Sequence, residues 1–320
     1  MHKIFLLLLA LFCSVPMMAV RPFIVSSYIR GNFFNKGRVS VESINACNDL
    51  ICIGAQPAAD GSLILQQYRL NNGCGARTTT ALLDSVQVLI RNKEAVSIRL
   101  GISGGEEWRT MTASVDSRKR FGASVKDFLA ANALDGVDLD FEWPLSEEEF
   151  ENYSETIIIL REFLGDNYLL SVSLHPLYYQ ISSRAIEAVD YVSLQCYGPR
   201  PERFSYDQFE SDIQKVIQYG IPVDKLVAGV PFYAVAEDGS RHTVAYYDLV
   251  KADLVQSPAE DRVKYGDIVY IYNGQDRIMQ KTQYAIAKDL RGMMSWDLAT
   301  DVPFTNQWSL LRAMMSIVDE

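Results

Sequence analysis

Residues 134–144 read Leu134-Asp135-Gly136-Val137-Asp138-Leu139-Asp140-Phe141-Glu142-Trp143-Pro144, and their alternation decides how the rest of the chain is read. Val137, Leu139 and Phe141 are apolar, while Asp138, Asp140 and Glu142 are acidic. Successive side chains of a β-strand point to opposite faces, so one face is apolar and the other carries three carboxylates. Neighbours on that face stand roughly 6–7 Å apart. Three acids at that spacing repel one another, and at least one is expected to hold a proton near neutral pH. A strand at a sheet surface would show the same pattern with a solvated acidic face and no chemistry. Two features weigh against that reading. Asp and Glu are poor strand formers, and the stretch ends in Trp143-Pro144, where a binding loop would begin.

Outward from this stretch, seven further apolar runs mark strands: Phe23–Tyr28, Asp49–Gly54, Ala95–Ile102, Tyr168–Leu174, Val189–Tyr197, Leu226–Tyr233 and Gly292–Asp297. Between most of them the apolar residues recur at helical spacing. The helix after the acidic strand opens on Ser146 with Glu149 three residues on, a capping-box pattern. Strands alternating with helices imply βαβ units and a parallel sheet. Eight of them favour a closed (β/α)8 TIM barrel, an α/β fold, in one domain. The longest unit, Ala234 to Lys281, contains Tyr270-Ile271-Tyr272-Asn273-Gly274, a hairpin signal. It predicts a short β-rich insertion between strands 7 and 8.

The 320 residues, 48% hydrophobic, suffice for one large core. A net charge of −10 argues against nucleic acid or an anionic membrane as partner. Residues 1–19 read as a cleavable signal peptide, with Lys3, an apolar run from Ile4 to Cys13 and Ala19 before the cut. The expected location is therefore secreted or periplasmic, with residues 20–320 as the domain. Lipid anchoring at Cys13 is disfavoured because Phe12 precedes it. No other run is long enough for a transmembrane helix. Beyond the leader, Cys47, Cys52, Cys74 and Cys196 permit disulfides but are too few for a disulfide scaffold. With only three histidines and no zinc spacing, no metal is expected. A monomer with no cofactor is the expectation.

The acidic stretch resembles the signature of glycoside hydrolase family 18, the chitinases and their relatives, through Asp135, Gly136, Asp138, Asp140 and Glu142. Gly101-Ile102-Ser103-Gly104-Gly105, Gln195-Cys196-Tyr197, Gly229-Val230-Pro231-Phe232-Tyr233 and Gly292-Met293-Met294-Ser295-Trp296 resemble that family's third, sixth, seventh and eighth strand elements. Two positions depart from it: Gly198 stands where an Asp or Asn is common, and Trp143 where a Tyr is common.

The resemblance implies a secreted hydrolase of β-1,4-linked N-acetylglucosamine, in chitin or chitooligosaccharides, with the substrate's own acetamide as nucleophile. An oxazolinium intermediate then opens with retention. Glu142, nearest the mouth of the barrel, is the general acid. Asp140 would hold the acetamide N–H and balance the positive charge, and Asp138 behind it could share a proton with it. Tyr197 would donate its hydroxyl to the acetamide, with Gln195 in support. Trp296 is the expected floor under the sugar, with Tyr28, Trp143 and Tyr233 as further aromatic contacts, and Trp108 as a weaker one. Asp135 and Gly136 read as structural. An endo-β-N-acetylglucosaminidase acting on N-glycans fits the same chemistry. A third reading is a glycan-binding protein on the same barrel with no catalysis, although the presence of Glu142, Asp140 and Asp138 counts against it.

Overall fold

The structure, a computed structural model, describes residues 22–34, 38–69 and 75–319. The expected leader, Cys13 and Cys74 lie outside those residues. Eight parallel strands form its centre: β1 (Ile24–Ile29), β2 (Asp49–Pro57), β3 (Ser97–Gly104), β4 (Gly136–Phe141), β5 (Leu169–Leu174), β6 (Tyr191–Leu194), β7 (Leu226–Pro231) and β8 (Gly292–Trp296). Neighbours pair in chain order, and β1 bonds to both β2 and β8, which closes the ring. The expected (β/α)8 barrel is the observed fold.

The outward faces of the strands pack on the helices in one apolar core that includes Leu100, Val137, Leu139, Phe141 and Val172. Val137, Leu139 and Phe141 are the apolar half of the alternating stretch, so the acids point into the barrel. The helix Glu147–Leu164 follows, and its N-cap Ser146 accepts from the Glu149 N–H at 3.2 Å. The capping box is only half formed. The Glu149 carboxylate accepts from the Leu145 N–H (2.7 Å), one residue before the cap, and pairs with Arg109 at 3.2 Å.

The insertion between β7 and β8 is an antiparallel sheet in the order Thr243–Ala245, Tyr233–Ala236, Ile268–Ile271, Arg262–Tyr265. Its tight turn is not at Asn273-Gly274. Tyr265 pairs with Ile268, so the chain reverses at Gly266-Asp267, where Gly266 takes a φ of +62°. Asn273 is instead buried, donating to the Phe204 carbonyl (2.8 Å) and accepting from Lys281 (2.9 Å). Gly274 caps the helix Gln275–Ala287. An isolated Asn-Gly signals a turn only when the strands on both sides are right. Here the second is a helix whose apolar period was hidden by Lys281 and its polar neighbours.

Candidate functional site

β4 carries the acids, and its first residues fix their depth. Asp135 accepts from the Ile98 N–H at 2.7 Å, tying the start of β4 to β3. At Gly136 the β5 backbone comes so close that a Cβ would overlap the Leu169 carbonyl oxygen. This approach sets the register that pairs Asp138 with Ser171.

Asp138 is fully buried. It accepts from the Tyr28 hydroxyl (2.7 Å) and from Ser171 Oγ. Burial pushes its carboxyl up, against the pull of Arg99, Ser171 and Tyr28 toward the charged form. Asp140 is 2% exposed and accepts from Gln195 Nε2 at 2.9 Å. Desolvation drives its carboxyl well above the usual range, and the charges of Glu142 and Asp138 push the same way. Glu142 reaches the open mouth and is exposed to water. The surrounding walls still desolvate it enough to raise its carboxyl, with Gln195 opposing. The three acids thus share one side of the strand but not one environment: two lie inside the barrel and the third looks out of it.

Beneath Asp138 lies an ionic layer that the motif does not announce. Arg99, fully buried, forks onto Asp49 through Nε and Nη2, both at 2.7 Å, and donates from Nη1 to Ser171 Oγ at 2.5 Å. Asp49 also accepts from Ser26 Oγ and the Tyr191 hydroxyl, each at 2.6 Å. Ser171 bridges this layer to Asp138. Sequence reading missed it; Arg99 inside an apolar run was the one available signal.

Above the acids opens a cavity of about 550 Å³ lined by Glu142, Trp143, Gln195, Tyr197, Tyr233 and Trp296, among others. The sequence-expected Glu142, Gln195, Tyr197, Tyr233, Trp143 and Trp296 therefore meet at one place. Tyr28 does not line it. Its ring is 1% exposed, 5.1 Å from Trp296, and its hydroxyl is spent on Asp138 and Ser173. Trp108 is fully buried against Phe121, Phe141 and Tyr153 and is a core residue.

Among the described residues the Tyr197 hydroxyl has Met294 Sδ as its hydrogen-bond partner, at 3.8 Å, and burial keeps it protonated. It is a donor with no oxygen acceptor among the described residues. Tyr233 donates to the Gly198 carbonyl at 3.2 Å. A side chain at Gly198 would meet Arg203 Cδ at 3.1 Å, and His175 Nε2 lies 3.7 Å from the same point. His175 Nδ1 accepts from the Leu177 N–H (3.2 Å), so Nε2 carries the proton. Burial, helped by the Arg203 charge, lowers its pKa to about 4. His175 packs on Trp143 (5.3 Å), which itself stacks on Tyr178 at 5.5 Å and 22°. Trp143 Nε1 is buried with no acceptor among the described residues.

The opposite wall was not foreseen. It holds Arg30, Asn32 and Arg38, together with Thr243, Ala245 and Asp248 of the insertion. Arg30 and Asn32 stand just past the end of β1, the strand-end position where barrels place functional side chains; that position was the signal. Among the described residues no group of three or more His, Cys, Asp or Glu could hold a metal. Cys47, Cys52 and Cys196 are buried free thiols. No helix among the described residues is long and apolar enough to cross a membrane.

The family model described as glycosyl hydrolases family 18 matches residues 49–301. Chitinase A1 of Niallia circulans is 26% identical over 278 residues, covering 62% of this chain and 40% of that protein. Probable chitinase 2 of Drosophila melanogaster is 24% identical over 280 residues, covering 67% of this chain and 58% of that protein. The chain thus spans about half the length of these two relatives. A chitinase from Bacteroides thetaiotaomicron superposes with a TM-score of 0.76 at 19% identity, covering 93% of this chain and 96% of that one. Human YKL-39, described as a pseudo-chitinase with retained chitooligosaccharide binding, gives 0.75 at 17%, covering 93% and 100%. At such identities the likeness to these structures is one of fold.

Proposed function

Because the chain belongs to family 18 of the glycosyl hydrolases, whose members act on or bind glycans, we propose that it hydrolyses β-1,4 linkages of N-acetylglucosamine in chitin or chitooligosaccharides. One observation carries this reading. Glu142 opens into the cavity while Asp140, the next inward residue of the same strand, is buried beneath it and held by Gln195. A retaining enzyme with its own nucleophile needs a second carboxylate across the sugar, about 5 Å from the acid. Asp140 is stacked under the acid instead, which suits a supporting role.

In this scheme the sugar lies over Trp296. Glu142, pushed toward its protonated form, gives its proton to the glycosidic oxygen as the bond to the anomeric carbon breaks. The carbonyl oxygen of the sugar's 2-acetamido group attacks that carbon, and the ring that forms is a cationic oxazolinium. Asp140 accepts the acetamide N–H and balances the growing positive charge. The unengaged Tyr197 hydroxyl donates to the acetamide oxygen and orients it. Water, deprotonated by the now anionic Glu142, then opens the ring with overall retention. Asp138 feeds this arrangement from below, since its hydrogen bonds to Tyr28 and Ser171 hold it in the barrel's ionic layer.

Proton NMR of chitotetraose digestion tests the scheme. The β-anomer is expected first, and Glu142→Gln should remove turnover while keeping binding. An α-anomer product would refute the acetamide route. Equal inertness of both proteins on chitotetraose and on a high-mannose glycopeptide would favour a binding barrel. Cleavage of the glycopeptide alone would favour action on N-glycans.

A further inference from the structure

We propose that the sugar on the donor side of the scissile N-acetylglucosamine carries a carboxylate, which the Arg30–Asn32–Arg38 wall receives. This rests on the hydrolytic reading above for the scissile N-acetylglucosamine, and it replaces chitin as the preferred substrate by a heteropolymer in which an acidic sugar precedes that residue.

The wall is built around two guanidinium groups. Arg30 sits 5.0 Å from the centre of the Trp296 ring and is held there by Asp297, whose side chain is fully buried. Its own side chain stays 39% exposed. Arg38 is held by Asp248 at 3.1 Å and by the face of Tyr247 at 4.9 Å, and remains 27% exposed. Both line the cavity that Glu142 opens into. In a chain of net charge −10 this one cavity gathers two guanidinium groups, each beside a single carboxylate.

Their donors are mostly unused. A guanidinium offers five N–H donors in a rigid fork. Arg30 commits Nε and one Nη2 proton to Asp297 Oδ2, and Arg38 commits one Nη2 proton to Asp248 Oδ1. The remaining donors have no acceptor among the described residues. Asp297 and Asp248 fix the position of each guanidinium without saturating it. A planar fork fixed in this way is best matched by another planar, two-oxygen acceptor, a carboxylate. Asn32 adds a second requirement. Its Oδ1 is buried with no donor among the described residues, and a sugar hydroxyl would supply one. A hydroxyl and a carboxylate on one ring describe an acidic sugar.

The placement follows from the barrel. β1 is the neighbour of β8, which carries Trp296, while β4, which carries Glu142, lies across the ring. The acid stands at the leaving-group side of the sugar over Trp296. The arginine wall is therefore on the far side, where the preceding sugar would lie. Asp297 and Asp248 offset the two guanidinium charges, so an incoming carboxylate is received by the free N–H donors rather than by a net positive field.

Two acidic sugars occur next to N-acetylglucosamine in this arrangement: one bearing a lactyl ether and one that is a uronate. The test compares kcat/KM on three tetrasaccharides: chitotetraose, an N-acetylmuramic acid–N-acetylglucosamine repeat, and hyaluronan. At least one acidic substrate should exceed chitotetraose by about tenfold, and the preferred one identifies the source of the carboxylate. In Arg38→Gln that ratio should fall to about one. Arg30→Lys, which keeps a cation beside buried Asp297 but loses the fork, should lower it by a smaller factor. Calorimetric affinities of the unmodified protein for the same three ligands give a readout independent of turnover. Equal or higher kcat/KM on chitotetraose, with no tighter binding of either acidic ligand, overturns the proposal and leaves the hydrolytic reading standing. Tighter binding of an acidic ligand with no cleavage of any of the three upholds the wall and sinks the hydrolytic reading.

Discussion

Replacing Arg99 by methionine tests the ionic layer beneath the acids. The guanidinium has no exposed surface and supplies two of the four side-chain donors that reach Asp49 among the described residues. Methionine has comparable length and no charge, so the main effect is an uncompensated carboxylate inside the barrel. Breaking a buried pair by removing one partner costs about 3–5 kcal/mol. Ser26 and Tyr191 still donate to Asp49, which places the expected loss near ~3 kcal/mol. For a domain of this size that corresponds to a fall in Tm of about 6–12 °C. Urea unfolding, with its slope unchanged, would measure it. The double variant Asp49→Asn/Arg99→Met should recover a large part of the loss, because no charge is then stranded. A second consequence concerns Asp138. Arg99 favours its charged form, so the variant should push that carboxyl further up and shift the pH–rate profile. If Arg99→Met loses less than ~1 kcal/mol and the double variant is no better, the layer is not what holds the barrel floor.

The other expectations are as follows. Gly136→Ala inserts a methyl group against the Leu169 carbonyl, so stability should fall by about 1–3 kcal/mol and activity should drop with it as β4 shifts; unchanged thermal unfolding would contradict the close approach. His175 has a folded pKa of about 4, below its unfolded value of about 6.5. The unfolded chain therefore binds more protons between those values, and this group's contribution, present above pH 6.5, is lost as pH falls toward 4. The loss is at most ~3 kcal/mol, and Tm against pH should be flatter in His175→Gln over that window; parallel curves would refute it. Asp140→Asn should lower kcat on chitotetraose by at least about a hundredfold with a smaller change in KM, and the profile should lose the feature due to the coupled pair; an effect confined to KM would assign Asp140 to binding alone.

What could be read from the sequence was whatever repeats with a period or punctuates it. The eight strands were legible because each is an apolar run that the helices must cover. β4 was legible twice over, because its polar half is as regular as its apolar half. Boundaries slipped where chemistry outweighs period: Val189–Tyr197 reads as one strand, but the ladder covers only Tyr191–Leu194, since Gln195 and Tyr197 turn into the cavity. The Asn273-Gly274 turn failed because a dipeptide does not reveal that Asn273 is needed inside, against Lys281. Residues that act only through partners distant in sequence were illegible. Arg99 meets Asp49 and Ser171 from two other strands, and Arg38 meets Asp248 from the insertion, 210 positions away. Tyr28 was placed on the right strand but at the wrong depth, because a strand-end aromatic looks the same from sequence whether it faces a ligand or packs beneath Trp296.

Depth is what separates the three acids. They are carboxylic acids at one period, two on the strand and Glu142 just past its end, and each inward step is roughly 6–7 Å. Over two such steps the environment passes from a closed ionic layer to open water. Asp138 has hydroxyl partners and a nearby guanidinium, so its burial is largely answered. Asp140 has Gln195 as its one hydrogen-bond donor among the described residues and charges on both sides, so it carries the largest upward push. Glu142 has water. A proton offered to this strand is therefore drawn to the middle position at rest. Glu142 becomes the better proton carrier once a sugar covers the mouth and removes its water. On this view ligand binding itself moves the proton outward. Raising pH should therefore weaken binding of a non-hydrolysed chitooligosaccharide in the unmodified protein, and weaken it less in Glu142→Gln. Affinities that fall equally in both would place the responsible proton elsewhere.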